Sequence, residues 1–354
     1  MAIRKIKVNN IAVFDEIEID CCDGINVIVG ENGTGKTHLL RSIYTVMHYH
    51  LWNDESQWLS LDYTPNIAYP YEALKRRHEY RTSEDNSSMG VCYFDTAYAN
   101  EPGLANLQFT IDFVYFTGSI KSRTKFKPHT WPPLDHKDII FIPNKDMLTH
   151  SKGLIPMAKK YSKEMPFEKL LLDIIEKASQ WKPDEMPELA KKTLQCLADI
   201  GREIGGTVLF ENDEFFIQKS DGRKVSFLGE AEGFKKLGLL WQLLMNESIT
   251  PGTILLWDEA EINLNPKQIP ILVETLLELS RNGVQIFITT HDYNLMKYFS
   301  VKKKADDQVA FISLSKTESG AVISETEDDY NLLEHNSIVE ANIKLLEDDI
   351  EGVL

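Results

Sequence analysis

Cysteine is scarce in this chain. Its 354 residues contain only Cys21, Cys22, Cys92 and Cys196. None forms a C-x-x-C pair and none stands beside a histidine at metal-ligand spacing, which excludes a thiolate zinc site or a disulfide framework as the organising principle. Reduced, structural thiols are expected. The sequence also lacks an apolar run of about 18 residues, so no membrane-spanning helix is expected. The opening stretch Met1-Ala2-Ile3-Arg4-Lys5-Ile6 lacks the apolar centre of an export signal, and a cytoplasmic location follows as the expectation. Positive charge is in deficit, with 38 Lys and Arg against 54 Asp and Glu and a formal net charge of −16. That balance excludes a surface uniformly attractive to nucleic acid. Local basic clusters remain at Lys75-Arg76-Arg77-His78, at Lys121 to Lys127 and at Lys302-Lys303-Lys304. Sustained heptads are missing too, which excludes a long coiled coil.

What is present is a complete G-x-x-x-x-G-K-[ST] motif, Gly30-Glu31-Asn32-Gly33-Thr34-Gly35-Lys36-Thr37, directly after the apolar run Ile25 to Val29. The motif needs an abrupt strand end, a loop whose glycines let backbone N–H groups wrap phosphate oxygens, and a helix whose positive end faces the bound charge. Each part is legible. Residues Gly30 to Thr37 are therefore the candidate ATP cradle, with Lys36 reaching the β- and γ-phosphates and the Thr37 hydroxyl on Mg²⁺. The spacing Leu39-Leu40-x-x-Ile43 begins an amphipathic helix beneath the loop, expected over about 37–49.

The patterning predicts an α/β protein. Residues 3–19 alternate polar and apolar and predict two strands joined by a short turn, flanking the phosphate-loop strand. Residues about 50–135 read as an insertion, with a strand at 107–115 where Leu107, Phe109, Ile111, Phe113 and Tyr115 alternate. Another strand, marked by Asp138-Ile139-Ile140-Phe141-Ile142-Pro143, stops at its proline. Helical spacing over 151–205 predicts a helical lobe interrupted by Pro183 and Pro187. A hairpin around Asn212-Asp213 follows. Helices near 232–246 and 266–281 then alternate with strands near 253–257 and 284–290. A helix near 293–299, strands near 309–314 and 321–324 and a helical tail over 326–354 complete the chain. The ATPase core is thus expected in two parts, 1–150 and 206–325.

The strand Ile254-Leu255-Leu256-Trp257 ends in Asp258-Glu259, the arrangement in which the first acid holds Mg²⁺ and the second polarises the attacking water. It continues Ala260-Glu261-Ile262-Asn263-Leu264-Asn265-Pro266, and a second apolar strand ends Thr289-Thr290-His291. These D-E-x-E-x-x-L-x-P and T-T-H segments resemble the ABC-type ATPases of the RecF, SMC and OLD branch, often grouped as AAA-family ATPases. The resemblance implies a P-loop head with a mixed sheet, an antiparallel β lobe and a short helical lobe. It also implies catalytic roles for Lys36, Glu259 and His291, with His291 on the γ-phosphate, and metal binding by Thr37 and Asp258.

Two segments depart from the family's pattern. Pro143-Asn144-Lys145-Asp146 occupies the place of the Q-loop but has no glutamine, leaving Asn144, Lys145 or Asp146 for any sensing role. The signature motif lines up with Gly229 to Lys236, where Glu232 replaces the serine that contacts the opposite subunit's γ-phosphate. Gly233 and Lys235, or Lys236, are the remaining candidates for that contact. The resemblance therefore implies ATP sandwiched between heads of a homodimer or larger even assembly, with slow, partner-gated hydrolysis. Compact ATPases of this kind resemble the ATPase subunits of two-gene anti-phage systems, of the PARIS type with a TOPRIM-like effector or the Septu type with an HNH nuclease. The expected role is a regulatory ATPase, toxin–antitoxin-like, controlling a separate nuclease or toxin. The alternative is a RecF-like DNA repair ATPase on ends or gaps. A transporter energy subunit would need the missing signature and glutamine.

Overall fold

The computed structural model describes residues 2–52, 88–97, 107–116, 119–127, 139–161, 167 and 169–353. The basic cluster Lys75 to His78 lies outside them. Strands β1 (Ala2–Ile11) and β2 (Phe14–Asp20) come first. Along β2 the residues Phe14, Ile17 and Ile19 are buried, while Asp15, Glu16, Glu18 and Asp20 face outward. Such half-polar alternation suits a sheet with one wet face. The phosphate-loop strand β3 (Ile25–Gly30) and helix α1 (Lys36–Trp52) follow, and then β4 (Ser88–Ala97), β5 (Leu107–Phe116) and β6 (Ser119–Lys127). These join the opening hairpin in an antiparallel sheet of order β2-β1-β4-β5-β6. The opening strands therefore do not flank β3 in its own sheet. Strands β4, β5 and β6, within the stretch read as an insertion, extend the hairpin's sheet, whose acids exposed along β2 do not suit a layer buried on both faces.

The second sheet is built from wholly apolar strands. After β7 (Ile139–Ile142) come helices α2 (Leu154–Lys160), α3 (Lys169–Ala178), α4 (Glu188–Lys192) and α5 (Leu194–Ile204). A small sheet of β8 (Gly206–Glu211), β9 (Glu214–Lys219) and β10 (Lys224–Ser226) follows. Its hairpin turns at Asn212 and Asp213, with φ of 53° and 62°, the doubly left-handed turn that matches strand twist. Next are α6 (Glu232–Met245), β11 (Ile254–Trp257), α7 (Ile269–Arg281), β12 (Gln285–Thr289), α8 (Tyr293–Lys302), β13 (Val309–Lys316), β14 (Val322–Glu327) and α9 (Ser337–Val353). The large sheet has the order β14-β13-β3-β12-β11-β7 and is parallel apart from β14. Period-two alternation sorts its side chains onto two faces. Ile28, Phe141, Leu256, Phe287 and Ile312 meet Leu39, Leu40 and Ile43 of α1 and the buried face of the antiparallel sheet. Val27, Ile140, Trp257, Ile286 and Ile288 meet the helices of the C-terminal half. The longest described helices, α1 and α9, have 17 residues each, short of any coiled-coil arm.

One half-buried lysine ties the segment between α3 and α4 to β8 and α6. Lys182 donates to the Val208 carbonyl at 2.6 Å and lies 4.4 Å over the Trp241 ring. Burial pushes its pKa down from 10.5 to about 8. Between those values the unfolded chain binds more protons than the folded one, so this group makes stability rise with pH from about 8 to 10.5. Urea midpoints of the wild type and Lys182→Met, measured at either side of pH 8, check this. The wild type should gain stability relative to the variant at the higher pH, and parallel trends would refute it.

Candidate active site

The phosphate loop is fixed by close backbone approaches. Gly30 has φ of 145°, and a Cβ there would lie 2.2 Å from the Leu314 carbonyl oxygen of β13. At Gly35, with φ of 97°, a Cβ would meet the Phe14 ring at 2.5 Å. Only glycine fits either place. The rim of the loop, Glu31, Asn32 and Gly33, is exposed, while Thr34 is buried and its hydroxyl donates to the Glu31 carbonyl at 2.9 Å. Lys36 is also buried, its Nζ donating to the Gly30 and Glu31 carbonyls at 2.7 and 2.9 Å. Burial lowers its pKa to about 8, against the pull of Glu259 and Asp258.

Strand order brings the acids to this loop. Only β12 separates β3 from β11, so the ends of all three strands form one platform, where parallel sheets place ligands. The Thr37 hydroxyl donates to the Asp258 carboxylate, 2.9 and 3.0 Å from its two oxygens. Thr289, at the end of β12, donates its hydroxyl to Asp258 Oδ1 at 2.8 Å and accepts the Glu259 N–H at 2.7 Å. Burial pushes the Asp258 pKa up, and these hydroxyls oppose the shift. A buried carboxylate facing a hydroxyl is a hard-oxygen pair suited to Mg²⁺, which takes few protein ligands and keeps waters and substrate phosphates. Thr37 and Asp258 fit that ion, and the glycine-permitted loop with Lys36 fits a polyphosphate.

Glu259 leaves β11 in the left-handed region, with φ of 49°, a conformation that costs a non-glycine residue of order 1 kcal/mol. Its Oε2 accepts from Asn144 Nδ2 at 2.8 Å, and its Oε1 is 3.2 Å from His291 Nε2. Burial and the nearby Lys36 lower the His291 pKa, so the neutral ring presents its Nε2–H to the carboxylate. The carbonyl of Glu259 accepts from Lys236 Nζ at 2.9 Å. Of the three candidates in the Q-loop position, Asn144 is the one touching Glu259. Thr289 and Lys236 complete the frame, and the only sequence signal for Thr289 was its place before the strand-end histidine.

Gly233 and Lys235 lie elsewhere. Gly233 is buried, and a Cβ there would fall 2.6 Å from Gln268 Oε1 and 2.9 Å from the Asn263 carbonyl oxygen. Lys235 Nζ pairs with Glu232 at 2.6 Å and approaches Asp146 at 3.5 Å. Lys235, Glu232 and Asp146 line an open cleft of about 420 Å³ with Asn144, Lys145 and Asn263, apart from the Lys36–Thr37–Asp258 group. The Asn144 contact is testable on its own. Asn144→Asp sets a second carboxylate against Glu259 and favours protonation of one of them, so turnover should fall about tenfold with ATP affinity nearly unchanged. Steady-state kinetics and equilibrium binding of the variant check this.

A phosphate loop, an acid pair and a strand-end histidine, converging on adjacent ends of a mostly parallel sheet backed by an antiparallel one, define an ABC-type P-loop ATPase head. Residues 25–297 match the family described as AAA domain, putative AbiEii toxin, type IV TA system, and the chain belongs to that family. Among curated proteins it is 22% identical over 206 residues to the DNA replication and repair protein RecF of Proteus mirabilis (strain HI4320), covering 54% of this chain and 56% of the relative. The RecF of Staphylococcus carnosus (strain TM300) is 39% identical over 46 residues, 13% of this chain and 12% of its own. The chain spans about half the length of the first of these relatives. An SMC head bound to the C-winged helix domain of ScpA covers 92% of this chain and 98% of its own, with TM-score 0.54 and 14% identity. A Pyrococcus furiosus Smc head with an extended coiled coil, bound to the C-terminal domain of ScpA, covers 98% and 99% with TM-score 0.50 and 14% identity. These likenesses bear out the RecF/SMC-type head expected from the motifs. Among the described residues no helix is long and apolar enough to cross a membrane.

Proposed function

We propose that this chain binds ATP with Mg²⁺, hydrolyses it slowly, and uses the resulting conformational change to control a separate nuclease or toxin in anti-phage defence. The observation that carries the ATPase reading is the frame around Glu259, gripped by Asn144 and His291 beside the Thr37–Asp258 pair. When bound, Mg²⁺ would neutralise phosphate charge and orient the terminal phosphate. Glu259 takes a proton from water, Asn144 and His291 fix its carboxylate, and Lys36 supplies positive charge in a poorly hydrated pocket. Glu232, in the place of the signature serine, supports slow turnover, since its carboxylate repels a partner-bound phosphate. In this reading Gly233 and Lys235 face the nucleotide of a second copy across an even homo-oligomer. The division into a core of 1–150 and 206–325, a helical lobe of 151–205 and a tail of 326–354 belongs to the same proposal.

The toxin–antitoxin description of the family favours the regulatory role. The RecF relatives favour a second reading, an ATPase acting on DNA ends or gaps. Against that stands the charge of −16, and Lys302 and Lys303 are engaged by Glu274 at 2.5 Å and the Asp328 carbonyl at 2.7 Å. The deciding test is copurification of the neighbouring gene's product with this chain, before and after infection. A stable, ATP-sensitive complex supports control of an effector. Absence of any second protein, together with ATP-dependent retention on duplex ends that weakens steeply with salt, would replace it with the DNA-repair reading.

A further inference from the structure

Glu261 is the acid of the D-E-x-E segment with no task in the chemistry above. It lies in the turn after β11, and its Oε1 accepts the backbone N–H of His291 at 2.8 Å, across 30 residues of chain. Its Oε2 is sealed from solvent. Burying a carboxylate costs free energy unless donors hold it, and the His291 N–H and the Thr290 hydroxyl are among the donors that oppose that cost at Glu261. Burial pushes the Glu261 pKa up, and the His291 N–H is the first influence opposing it.

The contact has a reciprocal counterpart. Thr289, at the end of β12, holds the backbone N–H of Glu259 through its hydroxyl, while Glu261, just beyond β11, holds the backbone N–H of His291. Each strand end thus fixes the main chain from which the other's functional side chain departs. The amide of His291 sets the direction of its Cα–Cβ bond, and the imidazole at the end of that bond stands 3.2 Å from Glu259 Oε1. Loss of the Glu261 acceptor releases the His291 N–H, while the Thr290 N–H stays on the Ile28 carbonyl. The Thr289 bond continues to hold Glu259, so the histidine moves relative to a base that stays in place.

We propose that Glu261 is a positioning residue for hydrolysis, setting the separation of the His291 ring and the Glu259 carboxylate through the main chain of His291. The inference rests on the reading of those two residues as the hydrolytic pair. It requires an acceptor oxygen at this position and not a negative charge, so Glu261→Gln, which keeps the oxygen, should serve almost as well.

The experiment compares Glu261→Ala, Glu261→Gln, His291→Ala and the double variant Glu261→Ala/His291→Ala in ATP turnover, ATP binding and urea unfolding. Misplacement of a catalytic group by about 1 Å costs on the order of a hundredfold. Glu261→Ala should therefore lose about 10- to 100-fold in kcat with its ATP Kd nearly unchanged, and Glu261→Gln should stay within about threefold of wild type. Adding Glu261→Ala to His291→Ala should change nothing further, because the first acts through the second. If Glu261→Ala fails to fold, Glu261→Met keeps the volume without the acceptor and takes its place. Wild-type kcat in the acceptor-free variant overturns the inference, as does multiplication of the two losses in the double variant. Wild-type kcat in His291→Ala alone instead removes the reading of His291 on which the inference stands.

Discussion

Glu259→Gln should bind ATP about as tightly as the wild type and turn it over about 10²- to 10⁴-fold more slowly, the range for loss of a general base. The substitution is nearly isosteric and leaves the backbone bond from Glu259 N–H to Thr289 in place. It removes the proton acceptor and sets a new amide against Asn144 Nδ2 and His291 Nε2, both of which now address the carboxylate. Nothing in the phosphate loop changes, because Lys36 is held by main-chain carbonyls. Single-turnover hydrolysis with excess protein and equilibrium ATP binding separate the two effects. Full hydrolysis in this variant would assign the base elsewhere, and equal loss of binding and turnover would mean that Glu259 acts on nucleotide affinity.

Lys36→Ala should abolish measurable ATP binding while leaving the stability of the nucleotide-free protein almost unchanged. The two parts have different causes. The ammonium is buried, lowered in pKa to about 8, and satisfied by the Gly30 and Glu31 carbonyls. Its desolvation cost roughly offsets those hydrogen bonds in the free protein, as buried charges often do. Polyphosphate binding needs the same charge in a poorly hydrated site, where its truncation costs most. At ATP about 100 times the wild-type Kd, bound nucleotide should add about 2.7 kcal/mol to wild-type stability. The variant should gain none. Urea unfolding of both proteins with and without Mg-ATP checks this, and equal ATP stabilisation would show that the loop does not depend on its lysine.

The residues of the platform were legible in the sequence because their chemistry follows the backbone at short range. The glycines of the loop, the acids after β11 and the histidine after β12 each stand at the end of an apolar run, and a run of that kind announces a buried strand. What joins them was not legible. The role of Thr289 depends on β12 lying between β3 and β11, and strand order is a property of the whole sheet. Asn144 carried no signal of its own beyond its position, since its partner is 115 residues away. The opening strands showed their alternation clearly, but alternation does not name the sheet a strand joins. Their exposed acids fitted a one-sided sheet, and β4, β5 and β6 supplied its other strands. That Gly233 packs closely on Asn263 and Gln268 was not legible either, since both lie 30 residues or more further along the chain.

The central position of β3 also governs how the molecule can be made. The strand pairs with β12 on one side and β13 on the other, Ile25 standing opposite Ile286 and Val309, although most of the chain separates it from them. A nascent chain on the ribosome presents β3 with both edges bare until β12 emerges, and with one edge bare until β13 follows. Contacts of such long sequence separation are slow to form and leave aggregation-prone edges open meanwhile. The strand beneath the phosphate loop therefore gains its full pairing only once β13 has emerged, since Leu314 of β13 stands opposite Gly30 in that register.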